Sequence, residues 1–271
     1  MRRLGKVRSF GWVTAVAVAL MLIVFWPLHS RLQAVESVSG LPTFLRSTSA
    51  AMVPTPIASD DALDFITTGP FLAQTAPDYQ PRQDIQLADP SNYGDRYSTD
   101  ANGQPVENEF IAVLHETVGS AQSAINLFKN YHPNDNDQVS YHTLIGRDGT
   151  IYYIVPPEKR AYGAGNSVFD GPNGPETVKT NPDFPASVNN FAYHVSLETP
   201  SDGRGNGPTH SGYTQSQYES LAWLLARSNI ADERITTHRA VDRSGSRQDP
   251  RSFDFNHFFS LLHRYPSRAG L

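Results

Sequence analysis

The chain contains no cysteine. That excludes disulfide staples and thiolate-ligated metals, so any metal site here must be built from His, Asp and Glu. A surplus of positive charge is also missing: 22 Lys and Arg stand against 27 Asp and Glu. This balance argues against the basic stripe of a nucleic-acid binder. No internal repeat is visible, and no His-Glu-x-x-His segment occurs, which removes the helix on which one large class of zinc proteases is built.

One long apolar run is present. Arg2, Arg3, Lys6 and Arg8 precede Phe10–Leu28, which carries no charge and approaches the roughly twenty residues needed to span a bilayer. Positive residues on that side hold the N-terminus in the cytoplasm and place the remainder outside. We assign residues 1–34 as a signal anchor or signal peptide. The cleavage-like end Leu32-Gln33-Ala34 is mediocre, and Trp12, Phe25 and Trp26 flank the run like interfacial anchors, so the uncleaved anchor is favoured. The expected location is the periplasm or the extracytoplasmic face of the membrane, or secretion if the segment is cleaved.

Residues 35–106 show neither helical nor alternating periodicity and are rich in Ser, Thr, Pro, Asp and Gln. They are expected to form a linker, largely extended or disordered, from which Ile85 or Tyr93 could pack on the following domain. With 271 residues in all, the natural division leaves one domain at 107–266 and a tail at 267–271.

Within that domain strands and helices alternate. Phe110–His115 is an apolar run that predicts a buried strand. Ser120 is placed to cap a helix over Ala121–Tyr131. Tyr141–Ile145 and Thr150–Val155 predict a hairpin around Arg147-Asp148-Gly149, and Tyr193–Glu198 another strand. Thr214 caps a helix over Gln215–Asn229 with an apolar stripe at Tyr218, Leu221, Ala222, Leu224 and Leu225. An aromatic-rich segment from Phe253 to Leu262 supplies a last helix. The expected fold is α/β, a mixed central sheet flanked by helices and preceded by the N-terminal hydrophobic helix.

Three short segments carry the chemistry. His115 follows one apolar run, His238 ends a shorter one, and Asp249 lies in a Gly, Ser, Arg and Pro-rich loop able to fold back toward His238. Two neutral imidazoles and one carboxylate form the ligand set of an open zinc site, in which the fourth position takes water or substrate.

The ordered segments Val139–Ile151 (VSYHTLIGRDGTI), Val155–Ser167 (VPPEKRAYGAGNS) and Val195–Glu198 (VSLE) resemble the type 2 N-acetylmuramoyl-L-alanine amidases, a family that also contains amidase-type phage lysozymes and peptidoglycan recognition proteins. The resemblance spans about Glu107 to Tyr265. It implies a mixed α/β fold, Zn2+ held by His115, His238 and Asp249, and hydrolysis of the amide between the lactyl group of N-acetylmuramic acid and L-alanine. It places the catalytic base at Glu198, a functional tyrosine of the phage enzymes at Tyr141, and Arg247 where the family often carries an oxyanion-stabilising lysine.

Arg160 and Asn166 fall in the segment bordering the family's groove and, with Thr117, are candidate substrate contacts. His142 and His194 sit on strands beside Tyr141 and Tyr193, so one of the two is expected to support the zinc ligands and the other to be structural. The expected partners are peptidoglycan or muropeptides and, through the N-terminal segment, a membrane; the chain is expected to be a monomer. Two other readings stay open. One is a peptidoglycan-binding protein without hydrolysis; the other is a zinc protease acting on protein substrates.

Overall fold

The structure is a computed structural model in which residues 78–268 are described. The Phe10–Leu28 run, and the helix expected there, lie outside the described residues. Among those described, no helix is long and apolar enough to cross a membrane.

The sequence Ile111–Glu116 forms β3, and all six of its residues are buried. It sits inside a six-stranded sheet whose other members are β1 (Gln83–Ile85), β4 (Thr143–Ile145), β5 (Ile151–Tyr153), β9 (Ala192–Leu197) and β10 (Ile235–Thr237), in the order β1-β5-β4-β9-β3-β10. Strands β4, β9, β3 and β10 run parallel to one another, and β5 turns back antiparallel on β4 with β1 beside it. Parallel strands covered on both faces tend to be apolar along their length, which is why Ile111–Leu114 is a continuous apolar run.

One face packs α2 (Gln215–Leu225) and α4 (Phe255–Leu262) onto Leu114, Ile145, Val195 and Leu197. The other packs α1 (Ala121–Lys129) through Ile125 and Phe128 onto Leu144 and Ile154. The helix ends follow their expected caps. Ser120 accepts the Ser123 N–H, and Thr214 forms a reciprocal box with Gln217, each satisfying amides that have no partner inside a helix. Helix α2 stops at Leu225 rather than Asn229. Its end is drawn away by Arg268, which donates to the carbonyls of Leu225 and Ser228 at 2.6 and 3.0 Å.

Two assignments are corrected. Residues 78–106 are not linker: Gln83–Ile85 is an edge strand of the main sheet, and β2 (Tyr93–Asp95) pairs antiparallel with β6 (Lys159–Ala161). Arg96 reaches into the domain and donates to the carbonyls of Pro157, Asn190 and Ala192. Three-residue strands held by backbone bonds leave almost no side-chain periodicity to read. Arg268, assigned to the tail, is also part of the domain and only 3% exposed.

A smaller hairpin, β7 (Phe169–Gly171) and β8 (Gly174–Glu176), lies in the long segment between β6 and β9. It is tied to the sheet by Arg234, which pairs with Glu176 at 2.8 Å.

Candidate metal centre

Strands β3 and β10 are parallel neighbours, with Ile235 opposite Ala112 and Thr237 opposite Leu114. Their C-terminal ends therefore emerge side by side, the usual place for a site in such sheets. His115 comes from the end of β3. His238 opens the short helix α3 (His238–Val241), capped by Thr237, whose hydroxyl accepts the Ala240 N–H.

Asp249 closes the group. Its Oδ2 lies 3.2 Å from Nδ1 of His115 and 3.1 Å from Nδ1 of His238, and the candidate ligand atoms of the three residues lie within 4.8 Å of one another. Donors about 2.0–2.2 Å from one tetrahedral zinc ion stand roughly 3.3 Å apart, so the separations fit.

The protonation states fit as well. Burial pushes His115 down to about 4 against the opposing pull of Asp249, so its ring is neutral and able to ligate. Burial alone would raise Asp249, but hydrogen bonds from His115 and His238 outweigh it and hold the carboxyl well below its usual range.

A second layer supports His115. Its Nε2 lies 2.9 Å from Nδ1 of His194, and both rings are inaccessible to solvent. Gly163 leaves room for that ring: a Cβ there would stand 2.6 Å from His194 Nδ1. His142 is structural. Its Nδ1 accepts the His194 backbone N–H, and its Nε2 donates to the Lys159 carbonyl. Of the two, His194 is the one in contact with a candidate ligand, His115.

The centre opens into a cleft of about 710 Å³ whose lining includes His238, Asp249, Tyr141, Arg247, Arg160, Asn166 and Thr117. Tyr141 stacks on His115 at 4.3 Å between ring centroids, and burial pushes its phenol up. Arg160 lies over the rings of Tyr97 and Tyr162 and donates to the Thr180 hydroxyl. Thr117 is less available than its position suggests, because its hydroxyl donates to the Gly119 carbonyl and accepts the Thr199 N–H.

Glu198 is not among the lining residues. Its Oε2 accepts the Arg147 N–H at 3.0 Å, which ties the end of β9 to the β4–β5 turn.

Sequence reasoning missed Glu116 and Arg251. Glu116 lines the cleft, is 3% exposed, and receives Arg251 Nε at 2.5 Å. The readable signal was a charged residue closing a buried strand, which requires a partner.

The chain matches the family model described as N-acetylmuramoyl-L-alanine amidase over residues 106–252. It is 30% identical over 129 residues to the 1,6-anhydro-N-acetylmuramyl-L-alanine amidase AmpD of Citrobacter freundii, covering 46% of this chain and 58% of that one. Against AmpD of Enterobacter cloacae the identity is 28% over 123 residues, 44% of this chain and 54% of the relative. The chain thus spans a little over half the length of the curated relatives it matches. A crystal structure of a selenomethionine AmpD derivative is similar with a TM-score of 0.47 and 26% identity, over 67% of this chain and 94% of that one.

Proposed function

The chain belongs to the N-acetylmuramoyl-L-alanine amidase family, and from that premise we propose that it is a zinc-dependent enzyme hydrolysing the amide between the lactyl group of N-acetylmuramic acid and L-alanine. The observation carrying this reading is the convergence of His115, His238 and Asp249 beside a cleft lined by Arg160, Arg247 and Tyr141. Those three residues would hold the ion. When bound, zinc polarises the scissile carbonyl and lowers the pKa of a water from about 15.7 toward roughly 7.

The remaining steps belong to side chains. Glu198 does not line the cleft and holds the Arg147 N–H on Oε2, so to take the proton of the attacking water its side chain must turn Oε1 into the cleft. The water oxygen bonds to the lactyl carbonyl carbon as that proton leaves. Tyr141 keeps its own proton, because burial raises its phenol, and serves as a donor to the developing oxyanion. Arg247 opposes the same negative charge electrostatically. The proton then passes from Glu198 to the L-alanine nitrogen, the C–N bond breaks, and a lactyl carboxylate and a free amine result. Arg160 and Asn166 bind the carboxylates and amides of the stem peptide.

The basic cluster Arg2–Arg8 before the uncharged Phe10–Leu28 run supports export, with the domain outside the cytoplasmic membrane and tethered to it. One chain supplies every ligand, so a monomer suffices.

The test incubates the full-length protein with intact peptidoglycan and, separately, with anhydro-muropeptide, with and without a chelator, and identifies new amino termini. New N-terminal L-alanine that disappears on chelation is expected. Binding to peptidoglycan with no new termini would replace the enzyme by a recognition protein, and the preferred arm identifies the natural substrate.

A further inference from the structure

Asp249 is followed two residues later by Arg251, which turns inward and is 7% exposed. Its guanidinium donates through Nε to Glu116 Oε1 at 2.5 Å, through NH1 to the carbonyls of Gly205 and Gly207 at 2.8 and 2.6 Å, and through NH2 to Gly203 at 2.6 Å. The Arg251 backbone N–H adds a bond to the same Glu116 oxygen at 3.2 Å. Glu116 is the residue after His115. Its other oxygen receives His210 Nε2 at 3.0 Å and the hydroxyls of Thr199 and Tyr213, both at 3.3 Å.

Two segments 134 residues apart are joined here. One carries His115 and the other Asp249, and the pair Glu116–Arg251 lies next to both in sequence. Elsewhere the Asp249 segment is held by the Arg239 N–H on the Asp249 carbonyl at 2.9 Å, and by the Ser252 hydroxyl, which accepts the His210 N–H at 3.0 Å.

Stability is a poor reason for such a pair. Removing two charges from water costs about as much as their attraction returns, and apolar replacements of buried pairs are often neutral or stabilising. Geometry is the better reason. A planar guanidinium presents its donors in fixed directions, and here it engages one carboxylate and three carbonyls at once, which a lysine ammonium on a flexible stem cannot reproduce.

We infer that Arg251, anchored by Glu116, is a positioning residue that sets the metal affinity of the centre by fixing the Asp249 carboxylate relative to His115. The inference rests on the reading of His115, His238 and Asp249 as metal ligands. Groups behind the ligands typically change metal affinity by about 10–100-fold when removed.

The experiment measures Zn2+ affinity of the metal-free full chain by competition with a chromogenic chelator, at a temperature where circular dichroism reports every variant folded. Arg251→Gln and the isosteric Glu116→Gln are each expected to weaken zinc by about 10–100-fold. The double variant should cost no more than the worse single one, because both remove the same link. Arg251→Lys should recover only part. Folded variants that bind zinc within about twofold of the wild type would overturn the inference and leave the pair a scaffold element. Asp249→Ala separates the two failures: if it alone retains full zinc affinity, the ligand assignment falls, whereas if it loses zinc and the Glu116 and Arg251 variants do not, only the positioning role falls.

Discussion

Nε2 of His115 and Nδ1 of His194 lie 2.9 Å apart in a fully buried contact. In the metal-free chain Nδ1 of His115 gives its proton to Asp249; with a metal at Nδ1 the proton of the neutral ring would stand on Nε2 and be donated to His194. His194 thereby selects the tautomer that leaves Nδ1 free to ligate. His194→Ala is expected to weaken zinc binding by about 10–100-fold in chelator competition. Unchanged affinity would mean that the ring is oriented by its strand and by Tyr141 alone.

The buried imidazoles also set a pH limit on the metal-free protein. Burial pushes His115 down to about 4, and His142 and His194 well below the ordinary histidine value. Above about pH 6.5 all three are neutral whether the chain is folded or not, so they add no pH dependence. Below it the unfolded chain takes up protons that the folded chain refuses, and stability falls by about 1.4 kcal/mol per pH unit for each histidine. Asp249 acts lower: its depressed folded pKa gives stability that is present above about pH 3.9 and lost below it. Urea midpoints of the chelated protein should be flat from pH 7.5 to 6.5 and drop steeply toward pH 5. A midpoint that does not move across that lower interval would contradict the neutral assignment.

Arg96 makes a third prediction. Its guanidinium bridges the carbonyls of Pro157, Asn190 and Ala192, and burial pushes it down to about 10. Arg96→Met keeps much of the stem but leaves those carbonyls without their charged donor. A hydrogen bond to a charged group contributes about 1.5–3 kcal/mol, part of which water and relaxation restore. The expected loss is about 2–4 kcal/mol by urea unfolding, far above the roughly 0.5 kcal/mol of a linker substitution.

The same residue shows where legibility ended. Strand β3, the capped helices α1 and α2, and the β4–β5 hairpin were readable because each carries its own signal within a few residues: an apolar run, a Ser or Thr with amides to accept, a Gly149 at φ 85° in the turn. His115, His238 and Asp249 were readable because each closes or follows such a signal. The short strands β1 and β2 were not, since their partners lie far along the chain and only backbone atoms pair. The Glu116–Arg251 pair spans 135 residues, and no local period encodes that separation. Position along β9 could not show that the Glu198 carboxylate turns toward Arg147 either.

The last prediction concerns how Arg247 is held at the cleft. Asp242 caps the end of α3, and its carboxylate gathers the following loop: Oδ1 accepts the N–H and hydroxyl of Ser244 at 3.0 and 2.7 Å, and Oδ2 the N–H groups of Ser246 and Arg247 at 3.0 and 3.2 Å. Burial would raise this carboxyl, yet the hydrogen bonds from Ser244, Arg247 and Ser246 hold it below the usual range. Gly245, at φ 74°, allows the tight return. The loop thus brings Arg247 to the cleft without using His115, His238 or Asp249. Asp242→Ala should leave zinc affinity within about threefold, because His238 and Asp249 keep their own supports, while kcat falls by about 10–100-fold and KM changes little, as small misplacements of a charge-stabilising group do. Arg247→Ala provides the reference. Should it lower kcat strongly while Asp242→Ala does not, the loop holds its shape through the serines alone; should neither lower kcat, Arg247 has no part in opposing the oxyanion and that task passes to Tyr141.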